Sequence, residues 1–287
     1  QGQPIKLLSC TPRNDHQTNI TIESPVAHTK LLTDLIQCPF KAFAIHHLKY
    51  ENPGLPHIGF DARERGIIMH QALFYFWKHM KSHAKLISTH NDEQTQHITA
   101  AIDCAIKPFI TARRDLHQAF IQQFKIHLMH QIRAWLKVEA QRPPFTIHAL
   151  EHPLTLTLEG ITFRMRADRI DRLIDGQLLM IDYKTGSGLF SVQAWLMDPL
   201  IVPQMPLYAL ANAKTQGIAL AQLHGAKKRF QGIAADDIQT LGIDALEKKR
   251  PDINWTTLNE KWLTTLQDLA RSWRHNSRLA VPIDSRT

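Results

Sequence analysis

Apolar residues recur at three- and four-residue spacing through LLTDLIQCPFKAFAIHHL, which predicts a helix beginning near Ser24 and interrupted at Pro39. The Pro- and Gly-rich stretch ENPGLPHIGFD reads as a loop. RERGIIMHQALFYFWKHMKSHA then has the amphipathic pattern of one long helix, and residues 92–140 continue in the same period as one or two more, ending before Pro143 and Pro144. Beyond those prolines the period falls to two. FTIHALEHPLTLTLEGITFRMRADRIDRLIDGQLLMIDYKT predicts three or four strands with tight turns at Glu159-Gly160 and Asp175-Gly176. PQMPLYALANAK predicts a helix with proline in its first turn, GIALAQLHGA a strand, and TTLNEKWLTTLQDLARSWRHN a final long helix. The expected layout is an extended lead-in over residues 1–23 and one domain over 24–287. That domain is mainly helical over 24–142 and α/β over 145–287, so the helical part is a cap or insertion on a mixed α/β core.

Composition adds a prior about partners. A formal net charge of +8 favours a polyanion, either nucleic acid or an anionic membrane surface, without speaking to the fold. The most apolar stretch, AWLMDPLIVPQMPLYALANA, is broken by Asp198, Pro199, Pro203 and Pro206, so neither a membrane span nor export is expected. Cys10, Cys38 and Cys104 are too scattered for a disulfide framework, and a reducing cytoplasm is the expected compartment. The first residue is Gln, which leads us to expect a fragment or a processed product.

The strands of the segment 165–188 hold charges where Val or Ile is usual. The two-residue strand period puts Asp182 and Lys184 on one face, about 6 to 7 Å apart. A carboxylate that holds a divalent cation, beside an ammonium that orients water or stabilises phosphate charge, suits phosphodiester hydrolysis. A single carboxylate makes a weak Mg²⁺ site, so a second oxygen ligand is needed, and Asp168 on the preceding strand is the candidate. Register decides whether it serves. A two-residue turn pairs Asp168 with Tyr183 and sends the aspartates to opposite faces. A three-residue loop, Ile174-Asp175-Gly176 with Gly176 left-handed, pairs Asp168 with Asp182. The bulged register, or an equivalent bulge within the strand, is the one expected.

Asp168-Arg-Ile-Asp171 followed by Asp182-Tyr-Lys-Thr185 resembles the core of PD-(D/E)XK nucleases, in particular the RecB/AddB-type branch. Further matches occur in order: Cys38-Pro39-Phe40 in the opening helix, Arg65-Gly66 with His70, Gln204 with Tyr208, and SRLAVPID near the end. The resemblance implies a restriction-endonuclease-like fold, a mixed central sheet flanked by helices. It implies a metal-dependent deoxyribonuclease, an exonuclease of repair or recombination acting on single strands or duplex ends, with a helicase partner or helicase-like N-terminal domain. Carried over residue by residue, it gives His70, Asp168, Asp182 and the Tyr183 backbone carbonyl as ligands of Mg²⁺ or Mn²⁺. Lys184 is then the catalytic lysine, Gln204 and Tyr208 position strand or lysine, and Glu151 supports the site from behind. The pattern's glycine three residues before the first aspartate is Met165 here, a side chain bulky enough to crowd the backbone near substrate. Some members of the branch tie the first-helix cysteine, here Cys38, to a 4Fe–4S cluster. With no cysteine after Cys104, no cluster is expected in this chain, and the full-length protein stays open.

Other features have plainer readings. Cys38 by itself reads as a buried apolar residue. His79 with His83, and His127 with His130, fit a solvated helix face better than a metal site, because no Glu follows in an H-E-x-x-H arrangement. Phe74 to Trp77 read as packing, and Lys227-Lys228-Arg229 as either a solvated loop or a phosphate track. Two alternatives to the enzyme remain: a decayed nuclease-like DNA-binding or scaffold module, and a helical–β protein whose charges form a buried ion network.

Overall fold

A mixed sheet organises the chain. In the computed structural model, which describes residues 26–50, 59–113, 116–188, 191–225 and 228–276, seven strands form it in the order β1-β3-β4-β5-β6-β7, with β2 also on β3. The strands are β1 Val26–His28, β2 Phe145–Leu158, β3 Ile161–Leu173, β4 Leu178–Lys184, β5 Thr215–Gln222, β6 Arg229–Ala234 and β7 Ile243–Ala245. Pairings β1–β3, β4–β5 and β6–β7 are parallel, while β2–β3, β3–β4 and β5–β6 are antiparallel. This is the mixed α/β, restriction-endonuclease-like architecture expected. The expected lead-in, most of the Pro/Gly loop, Lys227 and the SRLAVPID tail lie outside the described residues.

Each face of the sheet carries its own helical layer. On one face lie α1 (Thr29–Gln37), α8 (Gln204–Ala211) and α10 (Trp255–Asn276). Leu32, Leu207, Trp262 and Leu266 meet Phe163, Met180 and Ile218 of the strands there. On the other lie α3 (Ala62–Met80), α5 (Asn91–Ala112) and α6 (Gln118–Glu139), whose Trp77, Ile102 and Trp135 meet Leu179, Ile181 and Ala219. Helices α3, α5 and α6 of the N-terminal part therefore form one of the two layers, while α1 joins the other. Among the described residues, short helices α2 (Pro39–Ala42), α4 (His83–Ser88), α7 (Gln193–Leu196) and α9 (Leu246–Lys249) and the π-helical segment Phe43–His47 complete the set.

Helix α3 shows how sequence sets these bounds. Asp61 Oδ1 accepts from the Glu64 N–H (2.6 Å) and Glu64 Oε2 accepts from the Asp61 N–H (2.9 Å), a reciprocal cap. Ile68, Ala72, Phe76 and Met80 then bury one stripe at helical spacing. The helix stops at Lys81, whose φ is 61°. It is thus shorter than its amphipathic pattern, and His83 begins α4 instead. Of the stretch Phe74 to Trp77 read as packing, Phe76 and Trp77 are buried and Phe74 partly so, whereas Tyr75 is exposed.

The hairpin β3–β4 takes the three-residue loop. Leu173 N–H donates to Gln177 O (2.9 Å), Gly176 N–H donates to Leu173 O (3.0 Å), and Gly176 has φ 86°. The register Arg169↔Ile181 and Ile170↔Met180 extrapolates to Asp168 opposite Asp182. Nothing crowds Gly176, so Gly176→Ala tests backbone conformation alone. It should lower stability by about 1 to 2 kcal/mol, read as a lower urea midpoint with unchanged slope.

One edge of β3 is shared by two partners. β1 occupies it from Thr162 to Arg164 and β4 from Arg169 to Arg172. Among the described residues, Met165–Asp168 have no strand partner on that edge, and this gap is where the candidate site forms. Strands β1, β6 and β7 were not foreseen: β1 and β7 are three residues each, too short to show a period.

Candidate active site

At the gap in β3 the two faces of the sheet meet. Asp182 and Lys184 lie on β4, Asp168 on β3, His70 on α3 of one layer, and Gln204 and Tyr208 on α8 of the other. His70 Nδ1 lies 3.2 Å from Asp168 Oδ2. The same Oδ2 accepts the Tyr183 N–H (2.8 Å), so the backbone of Tyr183 borders the site. Lys184 Nζ lies 2.7 Å from Asp182 Oδ2 and donates to Gln204 Oε1 (2.8 Å). Gln204 Nε2 donates to Asp182 Oδ1 (2.8 Å) and also lies 3.0 Å from the Tyr208 hydroxyl. The Tyr208 hydroxyl in turn donates to the Arg166 carbonyl (3.1 Å), satisfying an acceptor on the unpaired edge of β3. One turn of helix separates Gln204 from Tyr208, which sets them on one face of α8.

Helix α3 comes close because Gly66 carries no side chain: a Cβ there would lie 3.0 Å from Thr185 Oγ1. That approach brings His70, one turn further on, to Asp168. Past Thr185 the cleft continues as a cavity of about 560 Å³ lined by Arg65, Met69, His127, Thr185, Leu223 and His224.

Electrostatics follow from burial. Burial works to lower the His70 pKa, but the hydrogen bond and charge of Asp168, with Asp182 behind it, carry it above the ordinary histidine value. Burial raises the Asp182 pKa above its ordinary value; the Lys184 ammonium opposes the rise, and the charge of Asp168 adds to it. Glu151 has left-handed φ 47° and pairs with Arg166 Nε at 2.7 Å. Burial raises its pKa, Arg166 opposes, and Asp168 adds. Glu151 thus stands within the field of the site without a direct contact to Asp168 or Asp182.

The set has the donor chemistry for a hard divalent cation, two carboxylates and an imidazole, and the buried Asp182 Oδ2 has no aligned hydrogen bond. Among the described residues, though, no three such side chains stand in a metal-holding arrangement. Each carboxylate is engaged by a basic side chain instead, Asp168 by the His70 imidazole and Asp182 by the Lys184 ammonium.

Other expectations resolve differently. Cys38 is exposed, contrary to its reading as a buried apolar residue, because it is the extended junction between α1 and α2. Met165 points into the core, 8% exposed, and crowds nothing on the opposite face. His83 is buried against the Ala140 carbonyl (3.1 Å), and His79 stacks on His97 with centroids 3.9 Å apart, so neither pairs with the other. Lys228 turns inward to the Gly225 carbonyl (3.0 Å) and Gln131 (2.8 Å), which removes it from a phosphate track.

Behind the site lies a buried ionic network that the sequence reading missed. Arg169 bonds Asp171 (2.6 and 2.7 Å), Glu139 (2.7 Å) and the Tyr183 hydroxyl (3.2 Å); Arg142 bonds Glu139 and Asp171 (both 2.8 Å). The guanidinium of Arg169 lies over Trp77 (4.1 Å), and that of Arg142 over Phe145 (4.2 Å). Two residues apart on β3, Arg169 and Asp171 share a face, which was the one signal available. Tyr183 joins network and site, side chain in one and backbone N–H in the other.

The profile of the PD-(D/E)XK nuclease superfamily matches residues 28–284 of the chain. Among curated proteins none matches significantly. A solved structure titled "Crystal structure of SSO0001" aligns at 12% identity over 84% of both chains, with a TM-score of 0.28.

Proposed function

The chain belongs to the PD-(D/E)XK nuclease superfamily, and from that premise we propose that it is a Mg²⁺- or Mn²⁺-dependent deoxyribonuclease of the RecB/AddB type. Family membership implies a metal-dependent nuclease. The finer reading is an exonuclease acting on single strands or duplex ends in repair or recombination, in the cytoplasm and with a helicase partner or helicase-like domain. The observation that carries it is the convergence of His70, Asp168, Asp182, Lys184, Gln204 and Tyr208 at one gap in the sheet. Two helical layers sharing one sheet support reading residues 24–287 as one catalytic unit. No helix among the described residues is long and apolar enough to cross a membrane. No 4Fe–4S cluster is proposed for this chain, and Cys38 has no role in the reading.

His70, Asp168, Asp182 and the Tyr183 carbonyl would hold the cation, with Glu151 behind them. When bound, the cation supplies Lewis acidity toward the phosphate and lowers the pKa of a coordinated water. Lys184, held between Asp182 and Gln204, would supply the ammonium that orients the attacking water or stabilises charge on the phosphate. Tyr208 fixes Gln204, and Arg169 fixes Tyr183.

The test is cleavage of end-labelled single- and double-stranded DNA with Mg²⁺ or Mn²⁺, alongside thermal unfolding in the same metals. The parent should cleave only with metal and should melt higher in Mn²⁺. Asp168→Asn should lose both effects, since saturation at about a hundred times Kd contributes roughly 2.7 kcal/mol to the native state. DNA binding without metal-dependent cleavage in the parent would replace the enzyme with the scaffold reading.

A further inference from the structure

Beyond the site, the strands β2 and β3 extend as a sheet with one face in the core and the other in solvent. Ile161, Phe163, Met165 and Ala167 of β3 and Leu154 and Leu158 of β2 are buried on the inner face. On the outer face β3 presents Thr162, Arg164 and Arg166, then reaches Asp168 at the site. Alternation sets this order, and the burial pattern follows it. β2 sets Thr157, Thr155 and Pro153 opposite those three residues, and β1 sets Val26 and His28 beside Thr162 and Arg164. Arg164, His28, Thr155 and Thr157 are exposed, and the Arg166 side chain is 68% exposed. Among the described residues Arg164 makes no ion pair or hydrogen bond. Among the described residues of this row short of Asp168, Glu151 is the one carboxylate, and it engages Nε of Arg166.

We infer that this outer face is the track along which one strand of nucleic acid runs, its phosphates on Arg164 and Arg166, towards Asp168. The inference rests on the nuclease reading above and names how its substrate reaches the site. Charge complementarity carries it: unpaired guanidinium, half-engaged guanidinium and carboxylate pair follow one another in line, with an imidazole and threonine hydroxyls alongside. Steps of two residues space the side chains by about 6.7 Å, on the scale of successive phosphates in an extended strand. One row of cations serves one backbone, whereas a duplex presents two backbones across a groove about 12 Å wide. Met165, pointing inward, leaves the face clear.

The probe is a fluorescent oligothymidylate, with binding followed by anisotropy in Ca²⁺ across a salt series and cleavage followed separately in Mg²⁺. Variants are Arg164→Gln, Arg164→Gln with Arg166→Gln, and Arg133→Gln on α6 as the charge control. Each lost phosphate contact should reduce the slope of log K against log salt by about 0.7. The double variant should therefore lose about 1.4 in slope and bind on the order of tenfold more weakly at low salt. Arg133→Gln should behave as the parent. Unchanged slopes in both track variants, or an equal loss in Arg133→Gln, overturn the track. A parent that does not bind the oligonucleotide overturns it as well. Slopes that respond without any cleavage in Mg²⁺ keep the track and remove the nuclease reading.

Discussion

Asp182→Asn is expected to lower metal-dependent cleavage by on the order of 10³ or more while leaving the protein at least as stable as the parent. The loss follows from the proposed role of Asp182 as an anionic metal ligand and from its hold on Lys184 (2.7 Å). The stability follows from the sign of the pKa shift. Burial raises the Asp182 pKa in the fold, so the ionised side chain disfavours the native state. The penalty is absent below the ordinary carboxylate pKa and is fully present above the raised folded value. Asparagine keeps the shape and can still meet Gln204, yet carries no charge to bury. Rates on labelled DNA and urea midpoints near neutral pH check both halves. An unfolding free energy lowered by more than a few tenths of a kcal/mol would mean that Asp182 holds the fold together and is not a strained functional group.

The opposite outcome is expected for the network behind the site. Arg169→Met should destabilise the protein by about 3 to 5 kcal/mol, because Asp171 and Glu139 are fully buried and lose their shared cation. Charges of Asp171 and Glu139 offset the cost of burying the guanidinium and raise its pKa above that of a free arginine. Arg142, which already pairs with both carboxylates, is then one cation for two buried anions. Tyr183→Phe removes one bond of 3.2 Å and keeps the ring, so it should cost about 1 kcal/mol. Urea unfolding of the two variants separates these cases, and a loss below about 1 kcal/mol for Arg169→Met would show that the network is not what braces β3.

Much of this was legible in the sequence, for reasons that differ residue by residue. The hairpin register could be read because Gly176 fits the left-handed position of a three-residue loop. The spacing of Gln204 and Tyr208 is a helical turn, and that of Asp182 and Lys184 a strand repeat, so local periodicity was enough. His70 lies about a hundred residues from the carboxylates, and only resemblance linked it to them. The buried network was opaque because Glu139 ends a helix, Arg142 sits in a turn, and both meet β3 through tertiary packing alone. The fold contains a buried ion network beside the site, built from residues other than Asp168, Asp182 and Lys184. The engagement of Asp182 by Lys184 and of Asp168 by His70 was also beyond reach, since spacing says which groups are near but not which will pair.

Strand β1 has one more consequence, and it is kinetic. Val26 pairs in parallel with Thr162, so the earliest described strand has to wait for residues far along the chain before it has a neighbour. Closing so long a loop for three residues of pairing is entropically poor until β2 and β3 already stand as a template. Refolding should therefore end with the docking of β1, and the hairpin of β2 and β3 should gain amide protection from hydrogen exchange before Val26–His28 does. Until then the edge of β3 beside Arg164 is open along its length, a time at which the young chain is most prone to pair with its own kind.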